Sequence, residues 1–115
     1  MGVRQPVLNR RLVLEARERV PDGAGGYSES WTALGSHWAE VTPYRGRAQE
    51  HDTLPASVVP VRIVVRAVVP GRPGRPRAEQ RFRDGSEVFR IDSVAESDPA
   101  GRYLVCQAVR EEVSP

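Results

Sequence analysis

The sequence predicts an all-β fold, a small antiparallel barrel or sandwich with one long loop and at most a short helical turn. Three observations carry this. Apolar residues recur at every second position in several segments, the pattern of half-buried strands. Valine dominates the apolar set, and a β-branched side chain suits a pleated strand better than a helix. Ten glycines and ten prolines punctuate 115 residues, more than a compact helical domain carries.

The first predicted strand covers residues 7–15, with Leu8, Leu12 and Leu14 on one face and Arg10 between them. Asn9, Arg11, Val13 and Glu15 take the other face. The run Pro21-Asp22-Gly23-Ala24-Gly25-Gly26 breaks the pattern and returns the chain antiparallel, its glycines free to take positive φ. Alternation resumes with Tyr27, Glu29 and Trp31 against Ser28, Ser30 and Thr32. Gly35 interrupts it and His37-Trp38-Ala39-Glu40-Val41 restores it until Pro43, giving two strand segments or one strand broken by a bulge.

Residues 42–57 show no periodicity. They hold two prolines, a glycine and mixed charge, and a loop of this length in a compact domain is usually functional or disordered. The strongest strand follows at 58–69, with Val61, Ile63, Val65, Ala67 and Val69 on one face and Arg62, Val64, Arg66 and Val68 on the other. Residues 70–77 alternate proline, glycine and arginine, which excludes a helix or a central strand and reads as a solvated connection. Residues 78–82 fit a short strand or one helical turn. Asp84-Gly85 signals a hairpin into a strand at 87–94, with Phe89 and Ile91 on one face. Asp98-Pro99-Ala100-Gly101 is a further turn, and 102–110 closes the fold with Leu104, Cys106 and Ala108 opposite Tyr103, Val105 and Val109. Five to seven hairpin-linked strands make a barrel or sandwich.

At 115 residues the chain is a single domain, residues 1–115, since two cores would each be too small to sustain themselves. Hydrophobic residues at 39% and charged residues at 28% give an ordinary soluble balance. No apolar run is long enough for a membrane helix, and no signal-peptide pattern opens the chain. The formal charge of +2 is too small to imply nucleic-acid binding, although all 17 basic residues are arginine. Arginine's planar fork suits contacts between subunits and with phosphates. The single cysteine, Cys106, excludes an internal disulfide and reads as a small buried hydrophobe.

Catalytic patterns are missing. His37 and His51 lie on different segments without metal-ligand spacing, and no GxSxG, P-loop or GxGxxG motif occurs. Cys106 has no acid–base neighbours in sequence, and the carboxylates are scattered. The prediction is a non-enzyme with no metal and no cofactor. Of the two tryptophans, Trp38 is expected in the core because Ala39 and Val41 flank it, and Trp31 is the better interface candidate.

Leu8 to Leu14, the turn Asp22-Gly23-Ala24-Gly25-Gly26, Trp31 and Trp38-Ala39-Glu40-Val41 form an ordered series. It continues through Val61-Arg62-Ile63, Arg81-Phe82, Phe89-Arg90-Ile91 and the stretch from Asp98 to Leu104. In this order and spacing the sequence resembles the head–tail joining (head-closure or stopper) proteins of tailed bacteriophages, most nearly the version encoded by gene transfer agents. The resemblance runs from Pro6 to about Glu111. It implies a β-barrel protomer in a ring of six or twelve copies, between the portal–adaptor ring and the tail terminator of a phage-like particle assembled in the bacterial cytoplasm. It also implies that a long loop narrows a channel and helps retain packaged double-stranded DNA, with no membrane partner. That loop maps to 42–57, making Arg45, Arg47, Glu50, His51 and Asp52 candidate channel residues, while Trp31, Arg72, Arg75 and Arg77 are candidate subunit contacts. The alternative in another class is a small OB-like nucleic-acid-binding barrel, which requires several exposed aromatics on one sheet face.

Overall fold

The computed structural model describes residues 5–44 and 58–111. Six antiparallel strands make up the fold: β1 (Arg10–Pro21), β2 (Tyr27–Pro43), β3 (Val58–Arg66), β4 (Arg81–Asp84), β5 (Glu87–Glu96) and β6 (Tyr103–Glu111). They close into a barrel in the order β1-β2-β3-β6-β5-β4, with β4 pairing back onto β1. No helix occurs among the described residues. The expected all-β antiparallel fold is therefore present, as a barrel and not a sandwich.

The alternating apolar positions fill the interior. Leu12, Leu14, Ala39, Val61, Ile63, Val65, Phe82, Phe89, Ile91, Leu104, Cys106 and Ala108 form one buried cluster. Cys106 is fully buried, which pushes its thiol up to about 12. Arg10, which shares the leucine face, stands at the barrel mouth with its guanidinium 5.4 Å from the Phe89 ring centre.

Trp38 is not in the core; it is 58% exposed. Strand alternation explains this, because Ala39 points inward and its neighbour must then point out. His37 takes the partly buried position instead, edge-on to Phe82 with ring centres 5.8 Å apart.

Strand boundaries differ from the sequence reading most at β1 and β3. β1 starts later and continues six residues beyond Glu15, and β3 ends at Arg66. β2 is one strand with a bulge: Leu14 faces Gly35 but Glu15 faces Ala33, leaving Leu34 as the extra residue. Gly35 takes φ 146° there, a conformation essentially restricted to glycine. β4 and β5 turn through Gly85 and Ser86, with Gly85 at φ 60°.

Residues 70–77 are largely exposed, as a solvated connection would be, but within residues 67–80 they are anchored to the barrel. They fold back across the end of the barrel where β3 finishes. Pro76 is fully buried, the Gly74 carbonyl lies 2.7 Å from His37 Nε2, and Arg75 Nη1 donates to the Val68 carbonyl at 2.8 Å. Residues 78–82 include no helical turn: Glu79 and Gln80 exchange backbone hydrogen bonds with Ile91, and β4 starts at Arg81.

Candidate functional site

The two ends of the barrel differ. At one end β2 stops at Pro43 and β3 starts at Val58, so the connection between them leaves from here. Its root is held by the Tyr44 amide, which donates to the Pro60 carbonyl at 2.9 Å. Arg45, Arg47, Glu50, His51 and Asp52 lie outside the described residues. The rim beside this root is an ion-pair network. Arg10 Nε meets Asp84 at 2.7 Å and its Nη2 bonds Glu87, whose second oxygen takes Arg110 at 3.3 Å. Arg90 reaches Glu111 at 2.9 Å. These pairs tie β1, β5 and β6 to the β4–β5 hairpin, so the long connection springs from a braced rim.

At the other end, residues 16–21 of β1 and 27–32 of β2 pair only with each other. They extend beyond the barrel as a two-stranded arm. Its tip is closed by Asp22, whose Oδ1 accepts the amides of Ala24 and Gly26 at 2.8 and 3.1 Å and whose carboxyl is thereby held below the usual carboxylate range. Cross-strand pairing puts Arg17, Arg19, Pro21, Tyr27, Glu29 and Trp31 on one face of the arm. The opposite face carries Ala16, Glu18, Val20, Ser28, Ser30 and Thr32.

The arm's root is fixed by a buried carboxylate. Glu15 is only 5% exposed and receives Arg81 Nε at 2.7 Å and Arg83 Nε at 2.9 Å. Burial raises its pKa, but the hydrogen bonds from Arg83 and Arg81 outweigh burial and hold it below the ordinary value. The Arg81 guanidinium also lies over the Trp31 ring at 4.0 Å. Trp31, the expected interface residue, is thus half-buried and stacked.

Arg72, Arg75 and Arg77 come together in the strap over this end. With Pro70, Gly71, Pro73 and Gln80 they line an open cleft whose other wall is Ala16 and Leu34, at the root of the arm. Arg72 and Arg77 are exposed, and among the described residues no carboxylate meets any of the three guanidinium groups. No group of three or more His, Cys, Asp or Glu among the described residues is placed to hold a metal ion.

A family model for the phage head completion protein matches residues 3–112. The chain belongs to the phage head completion protein family. Similarity to solved structures agrees. A chain from the virion of a native gene transfer agent particle is 51% identical, with 96% of this chain and 100% of that one covered and a TM-score of 0.76. Protein SF1141 from Shigella flexneri 2a shares the fold at 20% identity, with 93% and 94% covered and a TM-score of 0.59. A search of curated proteins found no match.

This head completion family member carries two features that sequence reasoning missed. One is the arm: the alternation of Tyr27, Glu29 and Trp31 marks its β2 strand, but residues 16–21 carry no hydrophobic alternation to show that β1 continues beside it. The other is the Glu15 site, whose signal was a carboxylate followed at long range by Arg81-Phe82-Arg83, two arginines on one face of a strand.

Proposed function

We propose that this head completion protein is the head-closure (stopper) component of a phage-like particle of the gene transfer agent kind. It forms a homo-oligomeric ring at the head–tail junction, between the portal–adaptor ring and the tail terminator. The connection at 42–57 faces the channel and helps retain packaged double-stranded DNA, and the protein performs no catalysis. The observation that carries this reading is the 51% identity, over nearly the whole of both chains, to a gene transfer agent virion component. The architecture supports it: among the described residues no carboxylate pairs with the strap arginines, and the long connection and the arm leave from opposite ends of the barrel.

The OB-like alternative has less support. Tyr27, Trp31 and Trp38 do share the outward side of β2, but Arg19 stands 4.7 Å over Tyr27 and Arg81 4.0 Å over Trp31. That leaves Trp38 as the one ring of the three without a guanidinium over it among the described residues, and one ring is not a stacking platform for successive bases.

The test is removal of the chain from a producing strain. Filled heads that lose DNA and lack tails are the expected result, and normal infective particles would overturn the reading. Deleting residues 49–55 isolates the connection: particles should join tails yet leak DNA. Normal DNA retention by that variant would exclude the gating role.

A further inference from the structure

We propose that the β1–β2 arm of one copy docks into the arginine-lined cleft of the next copy, head to tail, with Glu18 meeting Arg72 and Arg77. This rests on the head-closure reading above and names the contact that joins neighbours in the ring.

Three observations converge on it. The first is that the arm needs a partner. A two-stranded ribbon is at best marginally stable alone in water, and apart from half-buried Trp31 at its root this one is exposed on both strands beyond Ala16. The second is charge. On the arm, Glu29 is occupied by Arg17 and Asp22 by its own turn, which leaves Glu18 without a partner among the described residues. The cleft has the reverse imbalance, three arginines that meet no carboxylate among the described residues, and a carboxylate is what a guanidinium fork binds best.

The third is apolar fit and reach. Val20 shares Glu18's face of the arm and is 42% exposed, while Pro70, Pro73 and Leu34 line the cleft. Six residues of strand carry the arm about 20 Å past the barrel. That matches the molecule's shortest extent of 22 Å, so an arm can span to an adjacent copy. Its own arm gives the cleft only Ala16 at the root, and neither Glu18 nor Val20 lines it. Arm and cleft are different surfaces, so the contact repeats from copy to copy and closes only by rotation, as a ring requires.

Charge reversal in a strain lacking the native chain tests this. Supplied alone, Glu18→Arg should lower the yield of complete particles at least about tenfold, and so should Arg72→Glu/Arg77→Glu. Supplied together they should recover most of it, because each arm then finds a complementary cleft on the other variant. Each purified variant should unfold at the wild-type temperature, since these side chains are exposed and make no ion pair among the described residues. No loss from either variant, or no recovery from the mixture, overturns the docking. A second measurement uses Val20→Cys/Pro73→Cys and a short bis-maleimide on purified particles, with buried Cys106 silent. A ladder running past the dimer supports the contact, and monomer or dimer alone overturns it. If particles form normally without any copy of the chain, the head-closure reading itself fails. Cross-linking of the concentrated purified chain then still decides the arm, by the same ladder.

Discussion

Glu15 is the residue on which the arm's attachment turns. Replacing it with Gln leaves Arg81 and Arg83 without a counter-charge in a partly buried setting, a change that costs about 2–4 kcal/mol. Thermal unfolding should show it as a fall of several degrees or more. The same carboxyl has a pH signature. Its folded pKa lies below the unfolded one, so its contribution is present above the ordinary glutamate value and fades as pH falls through and below it. His37 acts earlier on the same acid side. Burial lowers its pKa, so the unfolded chain takes up the proton first and stability declines as pH drops below about 6.5. A stability–pH curve should therefore show two acid steps, with Glu15→Gln shrinking only the lower one, to which Asp22 and Asp98, also held below the usual carboxylate range, contribute as well. Trp38 and Phe82 make the opposite comparison. Trp38→Ser should change stability by less than about 0.5 kcal/mol, while Phe82→Ala should cost about 3–5 kcal/mol. Both follow from which side of a strand the ring occupies.

At the scale of the element, β2 must bend where it leaves the barrel, and Gly35 does this with a backbone conformation that other residues reach only with strain. A Cβ at Gly35 would meet nothing within 4 Å, so Gly35→Ala isolates the conformational cost. About 1–3 kcal/mol is expected, read as a lowered midpoint in chemical denaturation. The arm beyond that bulge has its own prediction. Its amides in 16–21 and 28–32 should exchange with solvent far faster than those of β3 and β6 in the isolated chain, and become protected in assembled particles. Unchanged exchange after assembly would mean the arm finds no partner. The strap at 67–80 belongs to the same scale. Its proline and arginine content correctly excluded helix and central strand, yet said nothing of where it lies. Pro76 is buried because the strap that joins β3 to β4 crosses the end of the barrel.

For the molecule as a whole, stability and assembly are separable. The barrel has its own closed core, and the arm adds no residue to it. Deleting Glu18 and Arg19 with their cross-strand partners Ser30 and Glu29 shortens the arm while keeping register and facing. The shortened chain should unfold within a few degrees of the wild type but fail to complete particles. A large loss of stability would show instead that the arm props the barrel.

The strands of the barrel were legible in the residues because their alternation records burial on one side only: Leu12 and Leu14, Ile63 and Val65, Leu104 and Cys106. Local chemistry likewise placed the breaks, at Asp22 to Gly26, at Gly35, at Gly85 and at Asp98 to Gly101. The sequence by itself therefore determined that this protein is all-β, with one small core and buried, unreactive sulfur. Tertiary structure alone decided three things: that the sheet closes through β4 on β1, that residues 67–80 cover one end, and that β1 and β2 run on together past the barrel. Each of these depends on contacts between residues far apart in the chain, such as Glu15 with Arg81 and Arg83 or His37 with Gly74. Periodicity reports only which side of its own strand a residue occupies, so contacts between distant segments leave no trace in it.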